Sequence, residues 1–354
     1  MSPTEHDLLY LPERDQSFTD DRCFLCGDDL NHVQRTDEHV FPRWLLRRYG
    51  LWNERLGLLN RTTVRYRQLT IPCCHDCNTM HLSQIERSVQ EAWDEGPDAV
   101  RGLDCNLLFL WMGKIYYGIL FRELLLPLDR RRETTGPIVP ADALAAFQTH
   151  HTLLQRARGV VTWGEDCPAS VFVFECQESD ENLRLNFDYG DHFVRPFFAI
   201  RGGAIGLIAT LQDWGALKTV GLEMFQTARV LTLHPVQFRG LIAAGQCANG
   251  LFNRTPLHLL ATERDRVHIH TAPPTGSREG PWFDDWDVEI YANLLATALG
   301  QPLESVWDGS RATNLIGTPD NPHVIAWDGG PWPMVTHRTE EELAQAGIET
   351  DQSS

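Results

Sequence analysis

Apolar residues recur at helical spacing in two kinds of stretch along this chain. In NTMHLSQIERSVQEAW they stand at Leu82, Ile85, Val89 and Ala92 or Trp93, one face of a helix, which the following DEGPDAVRG ends with Gly and Pro. The run from Leu107 to Leu128, LLFLWMGKIYYGILFRELLLPL, is instead apolar on every side. Lys114, Arg122 and Glu123 lie inside it, so it predicts a buried helix rather than a membrane span. ADALAAFQTHHTLLQRARG extends the helical reading to a Gly stop. Beyond Val160 the apolar runs shorten, and SVFVFECQ, LRLNFDY, FVRPFFAIRGG and AIGLIATL predict strands. LHPVQFRGLIAAGQCANGLFN and DVEIYANLLATALG read as helices, and Arg65 to Pro72, RYRQLTIP, partly alternates as a strand would. The fold class is α+β.

A chain of 354 residues is too long for one ordinary domain. The expected division is an arm over 1–20, a head over 21–97, a body over 104–270 and a C-terminal region over 271–354 that belongs to the same body. That last region is rich in Pro, Gly, Asp and Trp, with Trp282, Trp286, Trp307, Trp327 and Trp332. The start, MSPTEHDLLYLPERDQ, has no apolar core, so no signal peptide is read and a cytoplasmic protein without a membrane partner is expected.

Charge changes this picture. A net charge of −17 argues against a chain that coats nucleic acid indiscriminately. Yet residues 1–90 hold 11 Arg against 13 acidic residues, while the remainder holds 20 basic against 35 acidic. Between Arg43 and Arg67 stand seven Arg (Arg43, Arg47, Arg48, Arg55, Arg61, Arg65, Arg67) with Glu54 as the single acid. A solvated face and a phosphate-binding stripe both answer that description. The chain has just two lysines, Lys114 and Lys218.

Nine cysteines, an odd count, argue against a disulfide framework. Cys23/Cys26 and Cys74/Cys77 have the C-x-x-C spacing from which two thiolates reach one tetrahedral ion. Separated by 47 residues, the two pairs would complete a closed four-sulfur shell, which means a structural ion, most plausibly Zn²⁺. Cys73 shifts the register by one, but Cys74 alone leaves two residues before Cys77.

Between the pairs lies Asp37-Glu38-His39-Val40-Phe41-Pro42, and Asn78 follows the second pair at once. C-x-x-C, then acid-His-x-x-Pro, then C-x-x-C with His or Asn directly after it, resembles the four-cysteine HNH endonucleases. The resemblance is closest to the subgroup written here as EHVFPRWL and CCHDCNTMHLSQIE, and it covers residues 20–95. It implies a ββα-metal fold with a structural zinc, followed by a larger α+β domain.

The resemblance also implies roles. His39 would be the general base that takes a proton from the attacking water, a task its ordinary pKa suits. Glu38 stands for the metal-binding acid, usually Asp, and Asn78 for the second ligand of a catalytic Mg²⁺, Mn²⁺ or other divalent ion. His81, one turn after Asn78, is a phosphate or metal contact or a surface histidine, and Glu86 is a metal ligand or a brace. Where the family often carries an Asn that fixes the loop holding the base, about five residues before the second cysteine pair, this chain has Leu69 between Gln68 and Thr70. Arg43, Arg47, Arg48, Arg65 and Arg67 would hold the nucleic-acid backbone. Trp44 and Trp52 stack on bases or pack in the core.

The expected function is therefore a metal-dependent endonuclease that cleaves DNA, with RNA as the other substrate. The body would sense, recruit or restrain it, with an activating ligand or protein partner at that body and oligomerisation as a further expectation, a layout that suits a bacterial defence effector. Two alternatives stand beside it: a zinc-stabilised binding module without catalysis, and a sequence-specific restriction or homing enzyme. His268-Ile-His270 and His150-His151 are weaker metal candidates, and no phosphate-cradling Gly loop or G-x-S-x-G elbow is present.

Overall fold

The structure is a computed structural model that describes residues 10–322, apart from 17, 125, 132–135, 139–146, 181–182, 193–194, 255–256, 264, 273–280 and 319–320. Trp327 and Trp332 lie outside the described residues, as does half of the expected arm. Helices and sheets are mixed, as the α+β reading requires. The chain forms two compact units, each assembled from separated segments: 1–91 with 106–166 and 257–273, and 92–105 with 167–256 and 274–354. These bounds differ from those read off the sequence, because 106–166 joins the cysteine-rich segment instead of the body.

The first unit starts with β1 (Arg35–His39), α1 (Arg43–Arg48), a hairpin of β2 (Arg55–Gly57) and β3 (Thr63–Arg65), and β4 (Thr70–Cys74). β1 and β4 pair antiparallel, with Glu38 opposite Ile71 and His39 opposite Thr70. A π-helical turn, Cys77–Leu82, leads into α2 (Ser83–Glu95). Two antiparallel strands and a following helix thus carry the residues singled out above. The strand expected over Arg65 to Pro72 is interrupted by a 3-10 turn at Tyr66–Gln68. Tyr66 causes the break: its ring is buried against Phe41, with centroids 5.4 Å apart, and its N–H reaches the Glu54 carbonyl at 3.0 Å.

The long apolar run forms α3 (Cys105–Glu123), and sixteen of its nineteen residues are buried. A helix apolar on all sides must be surrounded by protein or lipid. Here protein surrounds it, and among the described residues no helix is long and apolar enough to cross a membrane. Tyr117 stacks on Phe24 and Trp111 on Trp44. His150, in α4 (Gln148–Leu154), donates to the Gly113 carbonyl at 3.0 Å. Gly118 lets α3 come close to the loop after β1, since a Cβ there would stand 2.9 Å from a Val40 methyl. β5 (Val161–Trp163) pairs in parallel with Val267–Ala272, the inner strand of a hairpin with Leu257–Thr262.

The second unit is built on β6 (Ser170–Cys176), β7 (Phe187–His192), β8 (Phe197–Gly202), β9 (Ile205–Thr210) and β10 (Thr232–Leu233). They order as β10-β6-β9-β8-β7, antiparallel except for the β10–β6 pair. Two helices, α5 (Pro235–Leu251) and α6 (Val288–Leu299), supply Phe238, Leu241, Tyr291 and Leu295 to the same core as Phe174, Phe197 and Ile208. The first half of LRLNFDY makes a 3-10 turn, Leu183–Asn186, rather than strand. The sequence argued against a disulfide framework; one bridge, Cys105–Cys167, is formed.

Candidate functional site

Four cysteines come together as their spacing required. Cys23, Cys26, Cys74 and Cys77 are buried and their sulfurs lie within 4.8 Å of one another. The Cys26 and Cys74 sulfurs are 3.7 Å apart, close to the ~3.8 Å edge of a tetrahedral thiolate shell. Left-handed Gly27 (φ 76°) closes the first turn, and its N–H bonds the Cys23 carbonyl at 2.9 Å. The Phe24 N–H binds the Pro72 carbonyl at 2.9 Å and ties that turn to β4. The Cys77 N–H points at the Cys74 sulfur at 3.4 Å, as a charged thiolate would ask. This donor set is positioned to hold a metal ion. Cys73 is also buried, its sulfur 4.0 Å from that of Cys23, but it stands outside the four.

β1 places Glu38 inward and leaves its neighbours Asp37 and His39 more open, the alternation of a strand. Glu38 and His39 line a pocket of about 570 Å³ with Asn78 and Glu86 from the helical segment after β4, and Arg43 and Arg47 from α1. A second, more open pocket of about 710 Å³ shares Asp37, His39 and Arg43 and adds Trp52, Arg67, Gln68 and Thr70. The acid, the histidine, the asparagine and the second glutamate therefore meet in one concavity, with two arginines in its wall. Three of the expected residues stay out of both pockets. Arg48 lies over the Trp44 ring at 5.2 Å, Arg65 is exposed on β3, and half-buried His81 lines neither cavity.

The His39 ring stacks on Trp52, with centroids 5.6 Å apart and planes 20° from parallel. Arg47 lies over the same indole at 5.3 Å. Trp52 thus packs against the histidine and also lines the second pocket. Burial, then the charges of Arg43 and Lys114, lower the His39 pKa, which keeps the ring neutral at neutral pH. Asn78 donates its Nδ2–H to the Thr36 hydroxyl at 3.2 Å, and Thr36 donates onward to the Cys73 carbonyl at 3.0 Å. That leaves the Asn78 Oδ1 as the group available to a cation.

Sequence reasoning missed one member of the site. Lys114, in the middle of α3, bonds Glu38 Oε1 at 2.6 Å, Glu86 Oε1 at 2.8 Å and the main-chain oxygen of His39 at 3.0 Å. The Val40 carbonyl completes the shell at 3.4 Å. Burial would strip the lysine of its proton, but the two carboxylates outweigh it and hold the ammonium charged. Glu38 is pushed up by burial, opposed by Lys114 and reinforced by Glu86. Lys114 also supplies the loop support that Leu69 cannot give from its side chain. Leu69 contributes only its main-chain oxygen, which takes the Val40 N–H at 3.0 Å. The available signal was a lysine, one of two in the chain, inside an otherwise apolar helix.

The other histidine candidates do not form metal sites. His268 and His270 share a strand face, with ring centroids 4.4 Å apart, but His268 is engaged with the Thr162 hydroxyl. His150 and His151 are core residues. Among the described residues the four cysteines are the one group of three or more His, Cys, Asp or Glu ligands close enough for an ion. Compared with protein-family models, characterised proteins and solved structures, the chain matches none.

Proposed function

We propose that the first unit is a zinc-stapled nuclease of the HNH type that hydrolyses phosphodiester bonds in DNA with a divalent ion. The observation that carries this reading is the convergence of Glu38, His39, Asn78 and Glu86 on one pocket walled by Arg43 and Arg47. Beside it, the closed four-thiolate set suits Zn²⁺, a structural ion that cross-links the two turns flanking the β1–β4 pair.

The chemistry follows from the residues. Neutral His39 accepts the proton of the attacking water, its ring held in line by Trp52. Glu38, Glu86 and the Asn78 Oδ1 form an oxygen-rich wall that suits Mg²⁺ or Mn²⁺. The bound ion would stabilise charge on the phosphate and the leaving oxygen. Arg43 and Arg47 offer cations to the flanking phosphates, which sets register without reading sequence.

The test is incubation of the purified chain with supercoiled plasmid and a panel of divalent ions. Nicking or linearisation that needs Mg²⁺ or Mn²⁺ is expected. His39→Ala should lower it by about 10²–10⁴-fold while zinc content and DNA binding stay unchanged. DNA binding without cleavage under any ion would favour the non-catalytic binding module instead.

A further inference from the structure

Lys114 sits behind the carboxylates rather than among the groups that face the pocket. Glu38 and Glu86 line the cavity, and Lys114 does not. Its side chain is 3% exposed, against 9% for Glu38 and 23% for Glu86, so access to water rises from the ammonium toward the cavity. An ammonium has three N–H donors, and here they are shared among two carboxylate oxygens and two main-chain oxygens. Four oxygens around one small cation is also the environment that a hard metal ion seeks. Lys114 therefore occupies a position that two adjacent glutamates would otherwise offer to a metal.

We propose that Lys114 is a positioning residue of the site, an internal counter-cation that fills the buried space between Glu38 and Glu86 and keeps the metal ion on the pocket side, next to His39 and Asn78. The proposal rests on the nuclease reading and adds a role from outside the cysteine-rich segment. Each glutamate gives its Oε1 to the ammonium, and both side chains line the pocket. The ammonium offsets one unit of the pair's negative charge and weakens its attraction for a divalent ion in the buried space. Without it that charge is uncompensated, and the most negative point moves to the buried space, away from the histidine. The contacts to the His39 and Val40 carbonyls add a second effect, since they fix the main chain from which the catalytic ring projects.

The experiment uses the full chain and Mn²⁺, whose free concentration is read by electron paramagnetic resonance. Four-thiolate sites do not favour Mn²⁺, so the signal reports the oxygen site. Lys114→Met should bind Mn²⁺ at least about tenfold more tightly, because one buried positive charge is gone. The same variant should cleave plasmid at least about 100-fold more slowly, because the ion is misplaced. Tighter ion binding together with lost cleavage is an outcome that a merely structural lysine would not give. Unchanged Mn²⁺ binding, cleavage within threefold of the parent, or loss of both in a variant that keeps its zinc would each overturn the proposal.

If Lys114→Met loses its zinc, Glu86→Gln decides. That variant leaves the ammonium on Glu38 and removes one negative charge, so Mn²⁺ affinity should drop at least about tenfold with zinc retained. Unchanged affinity would overturn the proposal. The two readings fail separately: a parent chain that binds Mn²⁺ but cuts no plasmid ends the nuclease reading, whereas a parent that binds no Mn²⁺ at this site ends the proposal for Lys114.

Discussion

His150 is fully buried; its Nε2–H goes to the Gly113 carbonyl, and its Nδ1 has no partner among the described residues. A second proton on that ring would have to sit in apolar surroundings, so burial pushes the pKa down to about 4. The unfolded chain takes the same proton near ~6.5. The folded value is the depressed one, so stability is complete above pH 6.5 and is lost as pH falls from there toward 4. By pH 5 this one ring should cost ~2 kcal/mol relative to pH 8. Urea unfolding at the two pH values should show His150→Gln losing less than the parent by about that amount. His151 acts in the same direction, so part of the slope will remain. Equal slopes in parent and variant would mean that His150 takes its proton in the folded state. At this scale the site was partly legible. Glu38 and His39 lie between two cysteine pairs and Asn78 directly follows the second, short-range spacings that survive in one dimension. Lys114 is 76 residues from Glu38, and nothing local to either residue announces the other.

Elements whose signal is local were legible for the same reason. β6, β9, α5 and α6 fall where alternation and helical spacing put them, and Gly159 (φ 73°) ends the helical stretch after α4 as a Gly stop should. Tertiary partners overrode the pattern elsewhere: Tyr66 needs the core and breaks a strand, and α3 is buried by segments that its own sequence does not name. The four-sulfur set gives a sharp prediction for the two turns that flank β1 and β4. Cys74 belongs to it, and its chain neighbour Cys73 does not. Cys74→Ser should therefore release the zinc and, with it, the fold of the first unit, because the binding energy of a structural zinc is folding energy. Cys73→Ser should keep one zinc per chain and cost about 1–3 kcal/mol for a buried hydroxyl in place of a thiol. Elemental analysis after gel filtration separates them. Zinc lost from Cys73→Ser and kept by Cys74→Ser would reverse the assignment.

The two compact units interleave along the chain, and this decides what can be cut away. The sequence suggested a nuclease head that ends near 97, with the acidic remainder as a separate regulatory body. Yet the first unit takes α3 as its central post, and four contacts show what a shorter piece would lose. Without α3, Glu38 and Glu86 lose the ammonium between them, Val40 loses the cover of Gly118, Phe24 loses Tyr117 and Trp44 loses Trp111. Loss of the ion pair together with the apolar cover of Phe24, Val40 and Trp44 removes several kcal/mol, which is a large fraction of a small domain's whole stability. A fragment ending at Gly96 should therefore show no cooperative unfolding and should not hold stoichiometric zinc. A fragment ending at Asp166 retains α3 and α4 and should do both, although β5 loses its parallel partner strand. The longer fragment is then the proper vehicle for asking whether the acidic remainder restrains DNA binding by the first unit. If it does, the fragment should bind DNA more tightly than the full chain, and the gap should close as salt rises, because long-range repulsion is screened within about a nanometre at physiological ionic strength. The measurement is zinc content, urea unfolding and a DNA-binding titration over a salt series for both fragments and the full chain. A Gly96 fragment that unfolds cooperatively with one zinc bound would show that α3 is dispensable to the fold. An Asp166 fragment that folds yet binds DNA more weakly at every salt would mean that the second unit supplies DNA contacts of its own.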